Sequence, residues 1–191
     1  MNEEQKQNEQ EHVVAEVPTE TVRQHVQRSW LWDVAAVLLI VIVIFWLYQP
    51  VRVEGTSMLP LLQDQDALFI NKIVYRVDAV HRGDIVVFRY PHDEAKSYIK
   101  RVIAVPGDDL MIDHGMVWLN GKKLDEAYVA ARFRDDRSQP EMKLSKGEYF
   151  VMGDHRSISS DSRDFGTVQR RLIYGRAAFV IWPLDQAGSV R

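Results

Sequence analysis

Residues 30–48 read WLWDVAAVLLIVIVIFWLY, nineteen positions with one charge, Asp33, near the start. As a helix this stretch reaches about 28 Å at 1.5 Å per residue, close to the hydrocarbon thickness of a bilayer. From Val34 onward it is apolar on every face, whereas a surface helix of a small domain keeps a polar stripe. Trp30, Trp32, Trp46 and Tyr48 stand at its two ends, as expected where amphipathic rings sit at headgroup level. The sequence therefore predicts a membrane-spanning helix over 30–48. A cleaved leader fits less well, because the run is long, starts about thirty residues in, and is followed by Gln49-Pro50-Val51-Arg52, which offers no small-x-small cleavage site. Arg23 and Arg28 before the helix, against Arg52 after it, bias the amino terminus toward the cytoplasm and the remainder of the chain toward the outside.

On the amino-terminal side, residues 1–29 hold six Glu, three Lys+Arg and many Gln without a sustained apolar period, and are expected to form a disordered tail. On the other side, the pattern changes to short runs rich in Val, Ile, Phe and Tyr at 67–70, 85–90, 98–105, 116–119, 149–152 and 177–182. These are strand signals. Asn120-Gly121 between two of them suits the positive φ angles of a two-residue type I′ hairpin turn. Residues 125–147, polar and charged with Pro140 and Gly147, read as a surface insertion. With little helical period beyond residue 50, residues 49–191 are expected to form a mainly β, antiparallel domain.

Composition narrows the chemistry. The 24 Lys+Arg against 27 Asp+Glu leave a formal charge of −3, too small and too mixed for a nucleic-acid footprint. The absence of cysteine excludes disulfides, thiolate nucleophiles and Cys-type zinc sites. No metal-ligand spacing or phosphate loop is present, so no cofactor is expected, and no feature sets an oligomeric state.

Three segments hold candidate groups. Ser57 lies in Gly55-Thr56-Ser57-Met58-Leu59-Pro60, where Gly55 permits close backbone approach and Pro60 stops regular structure, so the serine sits on a tight turn. A serine nucleophile needs a base. The histidines downstream of the helix, His81, His92, His114 and His155, lie in loop-like contexts, and no Gly-x-Ser-x-Gly elbow accompanies them. Lys100 is the other candidate base. In a strand it shares one face with Tyr98, Val102 and Ala104 while Arg101 points to the other, so one of the two cations is buried or the sheet is exposed there. A buried Lys100 has a lowered pKa suited to a base, and an edge strand carries the same residues as solvated charges; both readings stand. The third segment, residues 153–166, is dense in Ser, Asp and Arg after a strand, a hydrogen-bonded turn in which Asp161 and Arg163 pair.

Taken in order, these segments resemble the type I signal peptidases in their Gram-positive bacterial form, membrane-anchored serine proteases that remove signal peptides from exported proteins. Four blocks carry the resemblance: the serine box Gly55-Thr56-Ser57-Met58-Leu59-Pro60; Arg82-Gly83-Asp84-Ile85-Val86-Val87-Phe88; Tyr98-Ile99-Lys100-Arg101 through Pro106-Gly107-Asp108; and Gly153-Asp154 through Ser159, Asp161, Ser162 and Arg163. The resemblance covers nearly all of the chain from residue 30. It implies a Ser57 nucleophile, a Lys100 general base that returns the proton to the leaving amine, a Ser159 hydroxyl holding that amine, and an Asp161–Arg163 pair stabilising the site. The oxyanion would meet the Ser57 N–H. Some family members add a hydroxyl two residues before the nucleophile, where this chain has Gly55, which leaves the second donor to a backbone amide, Gly55 being the candidate, or to water. Leu61 and His155 also depart from the family, which commonly has threonine and asparagine there.

The implied substrates are preproteins cleaved after Ala-x-Ala sites, with small side chains entering shallow apolar pockets. Val53, Met58, Leu62, Tyr98 and Ile99 flank the matched motifs and are the candidate pocket residues, each with core packing as the alternative. The implied setting is a single-pass protein of the cell membrane, in contact with lipid, with its catalytic domain outside the cytoplasm. Two other readings remain: a soluble Ser-Lys protease of related fold, against which the anchor speaks, and a non-catalytic membrane-tethered binding domain.

Overall fold

A computed structural model of the chain describes residues 19–190, with side chains from residue 30 on. The tail reading for residues 1–18 lies outside the described residues. Helix α1 spans Thr19–Leu47. It begins well before the apolar run, so the backbone of the last part of the expected tail is helical. Its Trp30–Leu47 part is long and apolar enough to cross a bilayer, and a helix satisfies its own backbone hydrogen bonds where no water is present. Tyr48, expected to close the helix, instead opens strand β1, and its ring meets that of Phe69 edge-on with centroids 6.2 Å apart.

From Phe45 onward the chain forms a separate compact unit. Its strands are β1 (Tyr48–Arg52), β2 (Ala67–Asn71), β3 (Ile85–Tyr90), β4 (Asp93–Ala104), β5 (Asp109–Asp113), β6 (Met116–Leu119), β7 (Lys122–Lys123), β8 (Gln139–Lys143), β9 (Glu148–Met152), β10 (Val168–Gln169), β11 (Ile173–Trp182) and β12 (Gly188–Ser189). The larger sheet has the order β1-β2-β11-β3-β4-β9-β10, with β12 paired to β11. The smaller has the order β7-β6-β5-β8. Every pairing is antiparallel. The unit is thus mainly β, as the sequence predicts, and only helical turns such as Val74–Val77 and Ser162–Phe165 interrupt it.

Strand β3 explains how the large sheet is covered. Val86 and Phe88 point into one apolar cluster, with Tyr75, Val102, Val151 and Phe165. Ile85 and Val87 point into another, with Val53, Met58, Leu62, Leu68 and Ile70. Period-two alternation with both sets apolar is the signature of a strand buried on two faces. A third cluster, including Ile103, Leu110, Ile112, Val117, Phe150 and Met152, fills the space between the two sheets.

The Asn120-Gly121 hairpin is present, with φ of 52° and 75° at its two turn residues and Leu119 paired to Lys122. Residues 125–147 correct the sequence reading. They are more than a surface insertion: they bury Glu126, Val129, Phe133 and Leu144 and supply β8, which pairs with β5. Their polarity hid this, because β8 is bonded on one side alone and keeps a solvated face.

Candidate active site

Between β1 and β2 the chain turns sharply through Ser57. Met58 and Leu62 are fully buried and anchor the turn in the core, while Leu62 N–H donates to the Met58 carbonyl at 3.0 Å. Gly55 has φ of +90°, a conformation side chains rarely adopt. Its N–H donates to the Asp64 carboxylate at 2.7 Å, which holds that carboxyl below its ordinary range together with the Gln65 side chain. The Ser57 N–H makes no hydrogen bond among the described residues.

Lys100 reaches the same point from the middle of β4, where it pairs with Val86. Its Nζ lies 2.5 Å from Ser57 Oγ. Burial strips water from the ammonium and lowers its pKa from 10.5 to about 8; the Asp161 and Asp154 charges pull it back up, and Arg163 pushes it down. Neighbouring Arg101 is buried too, on the opposite face of the strand. Its guanidinium donates to both oxygens of Asp154 at 2.8 and 2.7 Å and lies 4.2 Å from the centre of the Tyr128 ring. Of the two readings left open for this strand, the buried one is observed. Both cations are inside because both faces of the sheet are covered.

The loop after β9 closes over the turn. Gly153 passes so near that a Cβ there would stand 2.5 Å from the Ser57 carbonyl and 2.3 Å from Ser159 Oγ. Asp161 caps the helical turn Ser162–Phe165 in a reciprocal capping box with Asp164. It also accepts from Gly153 N–H at 3.1 Å. Arg163 donates to both Asp161 oxygens at 2.8 Å and to Asp135 at 2.6 Å, so the pairing expected from sequence is present. Arg156, fully buried, donates to Glu126 at 2.5 and 3.1 Å.

A cleft of about 690 Å³ opens beside Ser57 and Lys100. Val51, Val53, Val87, Tyr98, Ile99 and Tyr174 give it an apolar lining, with Arg52, Glu54 and Lys96 among its polar residues. Among the candidate pocket residues, Val53, Tyr98 and Ile99 line this cleft. Met58 and Leu62 do not; they are core residues, because the turn that exposes Ser57 must itself be anchored. Two further expectations differ. Gly55 N–H is already bonded to Asp64 and so is not a free oxyanion donor. Ser159 Oγ is buried without a hydrogen-bond partner, and does not hold the Lys100 amine, which is directed at Ser57 Oγ instead.

The sequence reading gave no role to Asp64, Glu126 or Tyr174, and named Asp154 only as part of a matched motif. Alternation on β11 was the only signal for Tyr174, and the three acidic residues meet partners that no local pattern specifies. No group of three or more His, Cys, Asp or Glu suited to a metal ion occurs among the described residues.

Comparison with known proteins bears on this arrangement. The family model described as "Signal peptidase, peptidase S26" matches residues 26–182. Signal peptidase I of Bacillus amyloliquefaciens is 35% identical over 176 residues, covering 85% of this chain and 90% of that protein. A probable signal peptidase I-2 of Synechocystis sp. is 38% identical over 161 residues, covering 81% and 72% of the two chains. A crystal structure of a signal peptidase I from Enterococcus faecalis aligns with a TM-score of 0.47 at 28% identity, over 52% of this chain and 97% of that one. With a family match over most of its length and relatives of this identity and coverage, the chain belongs to the signal peptidase family, peptidase S26, a family of serine endopeptidases.

Proposed function

We propose that the protein cleaves N-terminal signal peptides from exported preproteins at Ala-x-Ala sites by a Ser57–Lys100 dyad, from the outer face of the membrane. The observation that carries this reading is the 2.5 Å approach of a buried, pKa-lowered lysine amine to the hydroxyl of a serine at the edge of an apolar cleft. In its neutral form the Lys100 amine accepts the Ser57 proton as Oγ attacks the scissile carbonyl carbon. The Ser57 N–H faces the oxyanion of the tetrahedral intermediate. When the C–N bond breaks, the Lys100 ammonium gives its proton to the departing amine, leaving an ester on Ser57. Water, deprotonated by the same amine, hydrolyses that ester and restores the hydroxyl.

Asp161 and Arg163 fix the loop packed against this pair, and Ser159 supplies a buried hydroxyl beside Gly153. Val53, Tyr98 and Ile99 form part of the wall that receives small side chains of the substrate. Helix α1 confines the enzyme to the surface where the substrate's own hydrophobic segment emerges, which raises effective concentration without a new contact.

The test is incubation of the purified full-length chain, in detergent, with a precursor bearing an Ala-x-Ala site. Wild type cleaves it, and Ser57→Ala and Lys100→Met do not. Equal cleavage by all three eliminates the proposal.

A further inference from the structure

Three contacts converge on His155, in the loop after β9, and none belongs to the proton transfer described above. Its backbone N–H donates to the Ser57 carbonyl at 3.0 Å. Its ring Nδ1 lies 3.2 Å from the Thr56 carbonyl oxygen. A carbonyl oxygen only accepts, so this contact requires the proton to be on Nδ1. The ring also packs on Phe133, with centroids 4.0 Å apart.

Phe133 is itself tied to this loop, since its carbonyl accepts from Ser157 N–H at 3.1 Å. Next to His155 in sequence, Arg156 is clamped by the buried bridge to Glu126. The segment from Glu126 to Phe133 therefore sets where the imidazole stands, and the imidazole reaches the nucleophile turn.

We infer that His155 is a positioning residue for Ser57: it grips two consecutive carbonyls of the nucleophile turn and so fixes the hydroxyl against the Lys100 amine. This rests on the Ser57–Lys100 reading. The other holds on the turn are Gly55 N–H on Asp64, Leu59 N–H on the Thr56 carbonyl, and Leu62 N–H on the Met58 carbonyl with both of those side chains buried; none of these reaches the Ser57 carbonyl. Displacing a reacting group by about 1 Å costs on the order of a hundredfold in rate, so losing the imidazole hydrogen bond acts on turnover more than on substrate binding.

Side-chain chemistry separates this role from simple packing. Asparagine places its amide nitrogen two bonds from Cβ, as histidine places Nδ1, and so keeps a donor at the Thr56 carbonyl. Phenylalanine keeps an aromatic ring against Phe133 and has no donor.

The test measures kcat and KM of the full-length chain in detergent on the Ala-x-Ala precursor, for wild type, His155→Phe and His155→Asn, with Ser57→Ala alongside. Thermal unfolding of each variant is followed in parallel. His155→Phe is expected to lose roughly tenfold to a hundredfold in kcat with KM changed by less than about twofold, and His155→Asn to recover most of that loss. Wild-type kcat in His155→Phe, or equal impairment of both variants, overturns the inference. Nitrogen-15 NMR of the wild-type imidazole decides independently of whether a variant folds: a protonated Nδ1 in the neutral ring is expected, and a bare Nδ1 overturns it. Cleavage by Ser57→Ala at the wild-type rate is a different failure, that of the Ser57–Lys100 reading, and the NMR result then still decides whether His155 holds the turn.

Discussion

At the scale of single residues, the proposed dyad costs stability, and the sign of that cost is testable. Lys100 holds its proton less tightly in the folded chain, where its pKa falls to about 8, than at its ordinary value of 10.5. Between those values the unfolded state binds more protons, so stability rises with pH across that window. Below it the full penalty is present, about 3 kcal/mol at roughly 1.4 kcal/mol per pH unit; above it the penalty is gone. Lys100→Met, which keeps the length of the side chain, is therefore expected to raise the unfolding temperature at pH 7 and to lose that advantage as pH approaches 10.5, as thermal denaturation at the two pH values will show. Gly153 makes the opposite kind of prediction. A methyl there would stand 2.5 Å from the Ser57 carbonyl and 2.3 Å from Ser159 Oγ, so Gly153→Ala is expected to depress precursor cleavage at least tenfold by pushing the loop off the turn that holds Ser57.

At the scale of elements, the strands that read clearly from sequence are those with β-branched and aromatic residues on two covered faces, β3 above all. Strands β8, β10 and β12 left little trace, because short strands bonded at an edge need no apolar period. Lys100 and Arg101 on β4 mark a second boundary of legibility: alternation places them on opposite faces, but only the sheets and loops packed on both sides make both buried. Ser57 and Lys100 were legible through the resemblance of short motifs. The bond from Gly55 to Asp64 was not, since it depends on how the loop between β1 and β2 folds back on itself, nor was the bridge from Arg101 to Asp154, which joins segments whose meeting depends on the whole topology. The Glu126–Arg156 bridge ties residues 125–147 to the loop over the active site with both side chains 2% exposed. Removing one partner strands a buried charge at a cost of about 3–5 kcal/mol. Glu126→Gln is thus expected to lower stability by an amount of that order, readable in urea denaturation of the full-length chain, and an unchanged midpoint would show that this segment is not coupled to the loop.

At the scale of the whole molecule, the proposed function assigns location to helix α1 and chemistry to the mainly β unit. If the helix acts through effective concentration, removing residues 1–47 should slow cleavage of precursors inserted in vesicles by about tenfold or more while leaving cleavage of a short soluble peptide nearly unchanged; equal effects on both substrates would give the helix a different role. The absence of cysteine makes orientation direct to measure, since Ser145→Cys, in an exposed loop, is expected to react in intact cells with a membrane-impermeant maleimide. The proposed reaction turns on one proton transfer, and the pH dependence of kcat/KM for the full-length enzyme on an Ala-x-Ala precursor tests it most directly. A neutral Lys100 as base requires activity to rise with pH through an inflection near 8 and then level off. A single inflection near the ordinary histidine value of about 6.5, unchanged in Lys100→Met, would contradict it.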